Sequence, residues 1–288
     1  MNVEGDLERD GAVCVRQAFS AASVDLAEAA IEAVLAAPSP YAKRASSADD
    51  GAFVEDFCTW QHQEPLRRFL HESGCGRIAG ELLGAQEIRL FHDHILVKEP
   101  GTRQRTPWHQ DLPYYNVDGA QNASMWFPVD PVERSATLEF IAGSHRGPWY
   151  LPRTFLDDEA RWFPEGSWPS CPTTAHPDDH RIIGWELEPG DAVFFHMLTV
   201  HAANGFPGPG RRRVLSIRFL GDDMVHAPRP WITSPPFPGL DAHLAPGATV
   251  GPSAVSRALD PFRKKLSTVA RTGIAGFRIG ERSAVPVS

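Results

Sequence analysis

From residue 86 onward the chain is a succession of short apolar runs closed by glycine or proline, and no other feature narrows the folds open to it as far. The runs are EIRLFHDHILVKEP, ASMWFPVD, ATLEFIAG, GDAVFFHMLTVHAA and RRVLSIRFL. Several alternate apolar with polar residues, the period of a strand with one buried face, and the turn residues stop each strand early. Upstream the period changes. Residues 20–36 (SAASVDLAEAAIEAVLA) open on a serine able to cap a helix and carry apolar residues at helical spacing. Residues 63–83 read as a helix pair broken near Gly74 to Gly76, with Pro65 at a helix start, where it has no helical hydrogen bond to lose. The expectation is a mainly β chain with flanking helices, the N-terminal ones packed on the outside of a sheet. Its 288 residues suffice for a single domain, 1–288. That domain divides into a helical part over 1–84, a β core over 85–225 and an extension over 226–288, whose tail after 252 reads as a helix with a loose end.

Within the β region stands His109-Gln110-Asp111, in TPWHQDLPYY. A His and an Asp two residues apart on a strand project to the same side and can hold one metal ion. His201, ninety residues after Asp111 in VFFHMLTVHAANG, is the third candidate ligand. Two histidines and a carboxylate on one face of an ion is the arrangement of non-haem Fe(II) oxygenases, with three positions left open. Eleven residues beyond His201 lies Arg212, between Arg211 and Arg213, at the start of an apolar strand. If one of the three turns inward, its planar guanidinium can take the distal carboxylate of a dicarboxylic cosubstrate; solvated side chains account for the others. Many short strands around a metal site describe a double-stranded β-helix, the cupin-like jelly roll.

Other histidines compete. His92-Asp93-His94 followed by Glu99 reproduces the first half of the cupin metal motif, HxHxxxxE. It defines the alternative reading, a cupin-like metal-binding protein, either a binding module or an isomerase, using His92, His94 and Glu99. Against it, the expected upstream glycine is absent and the second half of the motif does not follow Pro189-Gly190. His196 precedes His201 by five residues and on one strand would face the opposite side. His145, in GSHRG, sits at a turn.

The ordered strings VKEPGTRQRTPWHQDLPYY, LEFIAGSHRG, LEPGDAVFFHMLTVHAANG and RRRVLSIRF together resemble the phytanoyl-CoA dioxygenase family of Fe(II)- and 2-oxoglutarate-dependent oxygenases, over residues 85–225. The resemblance implies that His109, Asp111 and His201 bind Fe(II) and that Arg212 meets the C5 carboxylate of 2-oxoglutarate. It places Lys98, Gln110 and Trp126 along the 2-oxoglutarate pocket, although Lys98 also reads as a surface lysine on an edge strand. Where some relatives have a small hydroxyl residue two positions after the distal histidine, this chain has Ala203. Ser216 is a candidate substitute, with hydrogen bonding to the backbone as its other reading. Asp111 is intact, which disfavours halogenation. The implied reaction consumes 2-oxoglutarate and O2, releases succinate and CO2, and oxidises a substrate C–H bond, usually to an alcohol.

Composition agrees. Asp and Glu number 36 against 28 Lys and Arg, a net charge of -8 with no basic stripe beyond the arginine cluster, so no nucleic-acid partner is expected. No apolar run approaches the ~20 residues that span a bilayer. Cys14, Cys58, Cys75 and Cys171 show no CxxC spacing and no signal peptide precedes the first acidic residues, so a cytoplasmic enzyme is expected. Arg103 and Arg105, before the metal motif, and Tyr114 and Tyr115, after it, are candidates to border a pocket for an anionic or partly aromatic small molecule. The insertion over 145–179 is rich in Trp, Pro and His. Trp149, Phe155, Trp162, Phe163 and Trp168 furnish either a lid or a satellite core.

Overall fold

The computed structural model describes residues 1–152, 168–171, 179–206, 208–237 and 240–251, with the backbone of 277–278. Its elements are β1 (Asn2–Asp6), α1 (Leu7–Asp10), β2 (Ala12–Arg16), α2 (Ala21–Ala36), β3 (Lys43–Arg44), β4 (Phe53–Phe57), α3 (Glu64–Glu72), α4 (Cys75–Leu83), β5 (Glu87–Lys98), β6 (Thr106–His109), β7 (Val117–Asp118), β8 (Asn122–Pro128), β9 (Leu138–Ile141), β10 (Ile182–Ile183), β11 (Ala192–Phe195), β12 (His201–Ala203), β13 (Arg212–Leu220), β14 (Val225–His226), α5 (Leu240–His243) and β15 (Phe277–Arg278). A large sheet runs β1-β2-β11-β8-β13-β5-β4-β3, with β15 also on β5; a smaller one runs β10-β9-β12-β6. All of these pairings are antiparallel. The two sheets face each other across a shared core, in which Phe140 and Ala203 of the smaller meet Trp126, Val193, Phe195 and Val214 of the larger. This is the jelly roll that the strand texture announces.

Alternation along the central strand explains both faces of the large sheet. Leu215, Ile217 and Phe219 of β13 point outward into a core shared with Ile31 of α2, Leu66 and Phe69 of α3 and Ile78 of α4. Phe19, Phe69 and Phe127 close that core with ring centroids 4.5 to 5.6 Å apart. The helices start where their caps place them. Ser20 Oγ accepts the Ser23 N–H at 3.3 Å, Pro65 sits in the first turn of α3, and Gly74, at φ +75°, permits the break before α4. The helices therefore pack on the outer face, and the inner face is left to the site.

Three sequence expectations need correction. The part over 1–84 is not simply helical, because β1 to β4 extend both edges of the large sheet. NVEGD and FVEDF are too polar to announce themselves, and they become strands by pairing with distant segments. Second, the apolar run over 191–203 is two strands in different sheets. The chain reverses over 196–200, where the Thr199 N–H donates to the His196 carbonyl at 2.8 Å. His196 consequently shares no strand with His201, and its Nε2 lies 3.2 Å from Asn122 Nδ2. Third, β5, which ends at Lys98, is no edge strand, since β13 and β4 flank it. Of the insertion's aromatic residues, Trp149 and Trp168 meet edge-on at 5.4 Å and Trp168 meets Trp231 at 4.8 Å. Phe155, Trp162 and Phe163 lie outside the described residues, as does the tail after 252 apart from 277–278.

Candidate active site

His109 ends β6 and stands in register with His201 of β12, so one strand pair brings the two rings to 4.1 Å between centroids. Asp111 reaches them differently from the expected strand. The chain turns after His109, with Asp111 in helical conformation (φ -76°, ψ -46°) before a 3-10 turn over Leu112–Tyr114. The turn is pinned by the N–H groups of Asp111 and Leu112, which donate to the Met197 carbonyl at 2.8 and 2.9 Å. The ligand atoms of His109, Asp111 and His201 lie within 4.8 Å of one another, and all three residues are buried. Each histidine directs Nδ1 to a backbone carbonyl, His109 to Pro107 at 2.8 Å and His201 to Thr199 at 2.9 Å. Such partners fix the tautomer and leave Nε2 as the ligand atom. The Nε2 atoms face Asp111 Oδ1 at 3.6 and 3.8 Å. Burial pushes His201 down to about 3, helped by His109, so its ring is neutral. Burial alone would raise Asp111, but Arg218 and the two imidazoles hold it well below the usual carboxylate range. Two imidazoles and a carboxylate on one side of a point are a donor set that fits Fe(II).

The three consecutive arginines separate by strand alternation. Arg211 pairs with Glu32 and Glu99, and Arg213 turns outward to Asp130, Glu28 and Glu32. Arg212 points inward, only 2% exposed. Its guanidinium lies 5.6 Å over the Trp126 ring, donates Nη1 to the Ala136 carbonyl and leaves a buried Nε without a hydrogen-bond partner. Among the described residues it has no carboxylate partner, and burial lowers it to about 10. Lys98 faces it across the β5–β13 ladder. This buried amine donates to the carbonyls of Gln104 and Asn204 at 2.6 and 2.9 Å, and burial beside Arg212 pushes it down to about 6.

Other expected residues are placed less favourably. Gln110 uses its amide as a clamp, accepting the Tyr150 N–H and donating to the carbonyls of Pro148 and Leu198. Ser216 donates to the Met125 carbonyl at 2.6 Å, which is the backbone role. Arg103 pairs with Asp50 with its side chain 69% exposed, and Arg105 is exposed. The structure brings neither arginine to the triad. Tyr114 does approach it, edge-on to His109 at 6.1 Å, and the buried Tyr115 accepts from Arg218 Nε at 3.0 Å. The alternative set is dispersed. His94 Nε2 sits 3.1 Å from Glu55 Oε1, and Glu99 pairs with Arg211 instead. Burial would raise Glu55, yet Lys43 and His94 outweigh it and hold the group at about 2. Arg218, Ser124 and Glu55 escaped the sequence reading. For Arg218 a signal existed, since Arg212, Val214, Ser216 and Arg218 share one face of β13 by period two.

A jelly roll with a buried two-histidine, one-carboxylate cluster between its sheets defines the class as a β-sandwich with a candidate metal site. The model of the phytanoyl-CoA dioxygenase family matches residues 7–214, and the chain belongs to that family. A probable phytanoyl-CoA dioxygenase of Caenorhabditis elegans is 27% identical over 156 residues, 51% of this chain and 48% of that protein. The peroxisomal phytanoyl-CoA dioxygenase of Bos taurus is 24% identical over 144 residues, 48% of this chain and 41% of that protein. The chain thus spans about half the length of these curated relatives. Among solved structures, the α-ketoglutarate-dependent carbocyclase SnoK from nogalamycin biosynthesis shares the fold at TM-score 0.65 and 22% identity, over 85% of this chain and 90% of that one. The epimerase SnoN, in complex with Fe3+, α-ketoglutarate and nogalamycin RO, does so at TM-score 0.65 and 21% identity, over 85% and 93%.

Proposed function

We propose that this chain is an Fe(II)- and 2-oxoglutarate-dependent oxygenase that oxidises a C–H bond of a small-molecule substrate, releasing succinate and CO2. The observation that carries the reading is Arg212, a buried guanidinium without a carboxylate partner among the described residues, in the same inter-sheet space as the triad. A buried charge left unpaired is costly, and an incoming carboxylate offsets that cost. When bound, iron and 2-oxoglutarate supply the oxidising power drawn from dioxygen. His109, Asp111 and His201 are the residues that would hold the metal. Arg212 would take the C5 carboxylate in a fork geometry, with the Trp126 ring as its floor. The hydroxyl missing at Ala203 has no substitute in Ser216, whose hydrogen goes to Met125, so Arg212 holds that carboxylate without it. Lys98 ties down the loops beside this end of the space. Trp149, Trp168, Trp231 and Tyr114 supply aromatic surface on the segments around the metal motif and favour a partly aromatic substrate. No helix among the described residues is long and apolar enough to cross a membrane, and the buried thiols of Cys14, Cys58 and Cys75, outside any disulfide, support a reducing, cytoplasmic setting.

Anaerobic titration of the Fe(II)-loaded protein with 2-oxoglutarate, followed by the visible charge-transfer absorption of the chelate, tests this. The parent should develop the band. His201→Ala should lose it, and Arg212→Met should need roughly tenfold or more 2-oxoglutarate, as expected on removing a buried charge partner. A parent that binds iron but gives no band overturns the proposal.

A further inference from the structure

Asp111 presents Oδ1 to both histidines and turns Oδ2 away from them, into a second set of contacts. Ser124 Oγ donates to Oδ2 at 2.6 Å, and Arg218 Nη2 lies 3.2 Å from the same atom. Arg218 is only 5% exposed. All sides of its guanidinium are engaged: Nε donates to the Tyr115 hydroxyl at 3.0 Å, and Nη1 donates to Ser216 Oγ, itself anchored on the Met125 carbonyl. Ser124 and Arg218 are direct partners in the β8–β13 ladder. The grip on Oδ2 therefore comes from the rigid centre of the large sheet, whereas His109 and His201 come from the smaller sheet.

We propose that Arg218 is a positioning residue that holds Asp111 to one-oxygen coordination. The inference rests on the oxygenase reading. Two histidines and one carboxylate oxygen leave three positions on a six-coordinate ion. A chelating 2-oxoacid takes two of them, and dioxygen needs the third. If Asp111 swung Oδ2 onto the metal, that third position would be filled. An arginine suits this task better than a lysine, because a planar fork bonded on three sides cannot follow a rotating carboxylate. It also explains why Arg218 is not available to an anionic substrate.

The test uses the full chain, loaded anaerobically with Fe(II) and 2-oxoglutarate, with nitric oxide as a probe of the third position read by electron paramagnetic resonance. Arg218→Met should retain the 2-oxoglutarate charge-transfer band and lose nitric oxide affinity roughly tenfold or more. Arg218→Lys should fall between Met and parent. A merely structural arginine would weaken the band and the nitrosyl signal together. Nitric oxide affinity equal to the parent's in Arg218→Met overturns the proposal; should that variant not fold, the same result in Arg218→Lys does so. A parent without the band overturns the oxygenase reading and this inference with it, whereas a parent band with unaltered nitric oxide binding in the variants removes this inference alone.

Discussion

At the scale of single residues, neighbours of identical type do different work. Arg211, Arg212 and Arg213 are chemically alike, but only Arg212 enters the space between the sheets, because side chains on a strand alternate. Arg213→Met should leave 2-oxoglutarate binding unchanged and lower stability by about 1 kcal/mol, since its partners Glu28 and Glu32 are nearly half exposed. Titrating this variant beside Arg212→Met, with a urea midpoint for each, separates the two roles. Gly11 is constrained more tightly. It sits at φ +80°, and a Cβ there would approach His145 Nδ1 and Thr199 Oγ1 at 2.5 Å. Gly11→Ala should cost about 2 kcal/mol or more, visible as a lower urea midpoint. His145, legible as a turn residue, accordingly packs against the β2 start, with Nε2 on the Glu8 carbonyl at 3.1 Å.

The elements show where local sequence suffices. α2, α3 and α4 were readable because a capping serine, a first-turn proline and a breaking glycine act within one turn of chain. Ser20→Ala should destabilise by about 1 kcal/mol through loss of its cap, without altering cosubstrate binding. Strand β13 joins the two halves of the molecule, its outward residues in the helix-covered core and its inward ones at the site. Ile217→Ala, on the outward face, should cost about 2 to 5 kcal/mol in denaturant unfolding and leave the charge-transfer band in place. A lost band in a folded Ile217→Ala protein would contradict this division of faces. The β4 strand was not readable in advance, because FVEDF places Glu55 and Asp56 in the sheet interior. Their partners, Lys43 and His94 for Glu55 and Ser39 for Asp56, lie elsewhere in the chain.

For the molecule as a whole, stability should be linked to what it binds and to pH. Mn(II), a redox-inert stand-in for Fe(II), with 2-oxoglutarate at about 100 times its Kd should add about 2.7 kcal/mol of stability by mass action. Thermal melts should show the gain in the parent and its absence in Asp111→Ala. Glu55 supplies the pH term. Its folded value of about 2 lies below its ordinary 4.5, so its contribution is complete above about pH 4.5 and is lost as pH falls toward 2. Glu55→Gln should therefore be less stable than the parent at neutral pH by about 3 kcal/mol. The difference should narrow as the pH is lowered through that window, and a gap independent of pH would show that the carboxylate is not held ionised by Lys43.

The strand texture after residue 86 and the bounds of α2 to α4 were legible in the sequence, because period and caps are properties of nearby residues, and the ordered strings of the family resemblance singled out His109, Asp111, His201 and Arg212 as candidates. Tertiary structure decided the rest. The convergence of Asp111 with the histidines depends on the Met197 carbonyl pinning a turn, not on the strand that His-x-Asp spacing describes. Whether His94 binds metal or Glu55 depends on β4 lying beside β5. The contact of Arg218 with Asp111 Oδ2 depends on the two sheets closing face to face. Alternation states which side chains share a face, but it takes the closing of one sheet on another to determine which distant groups that face will meet.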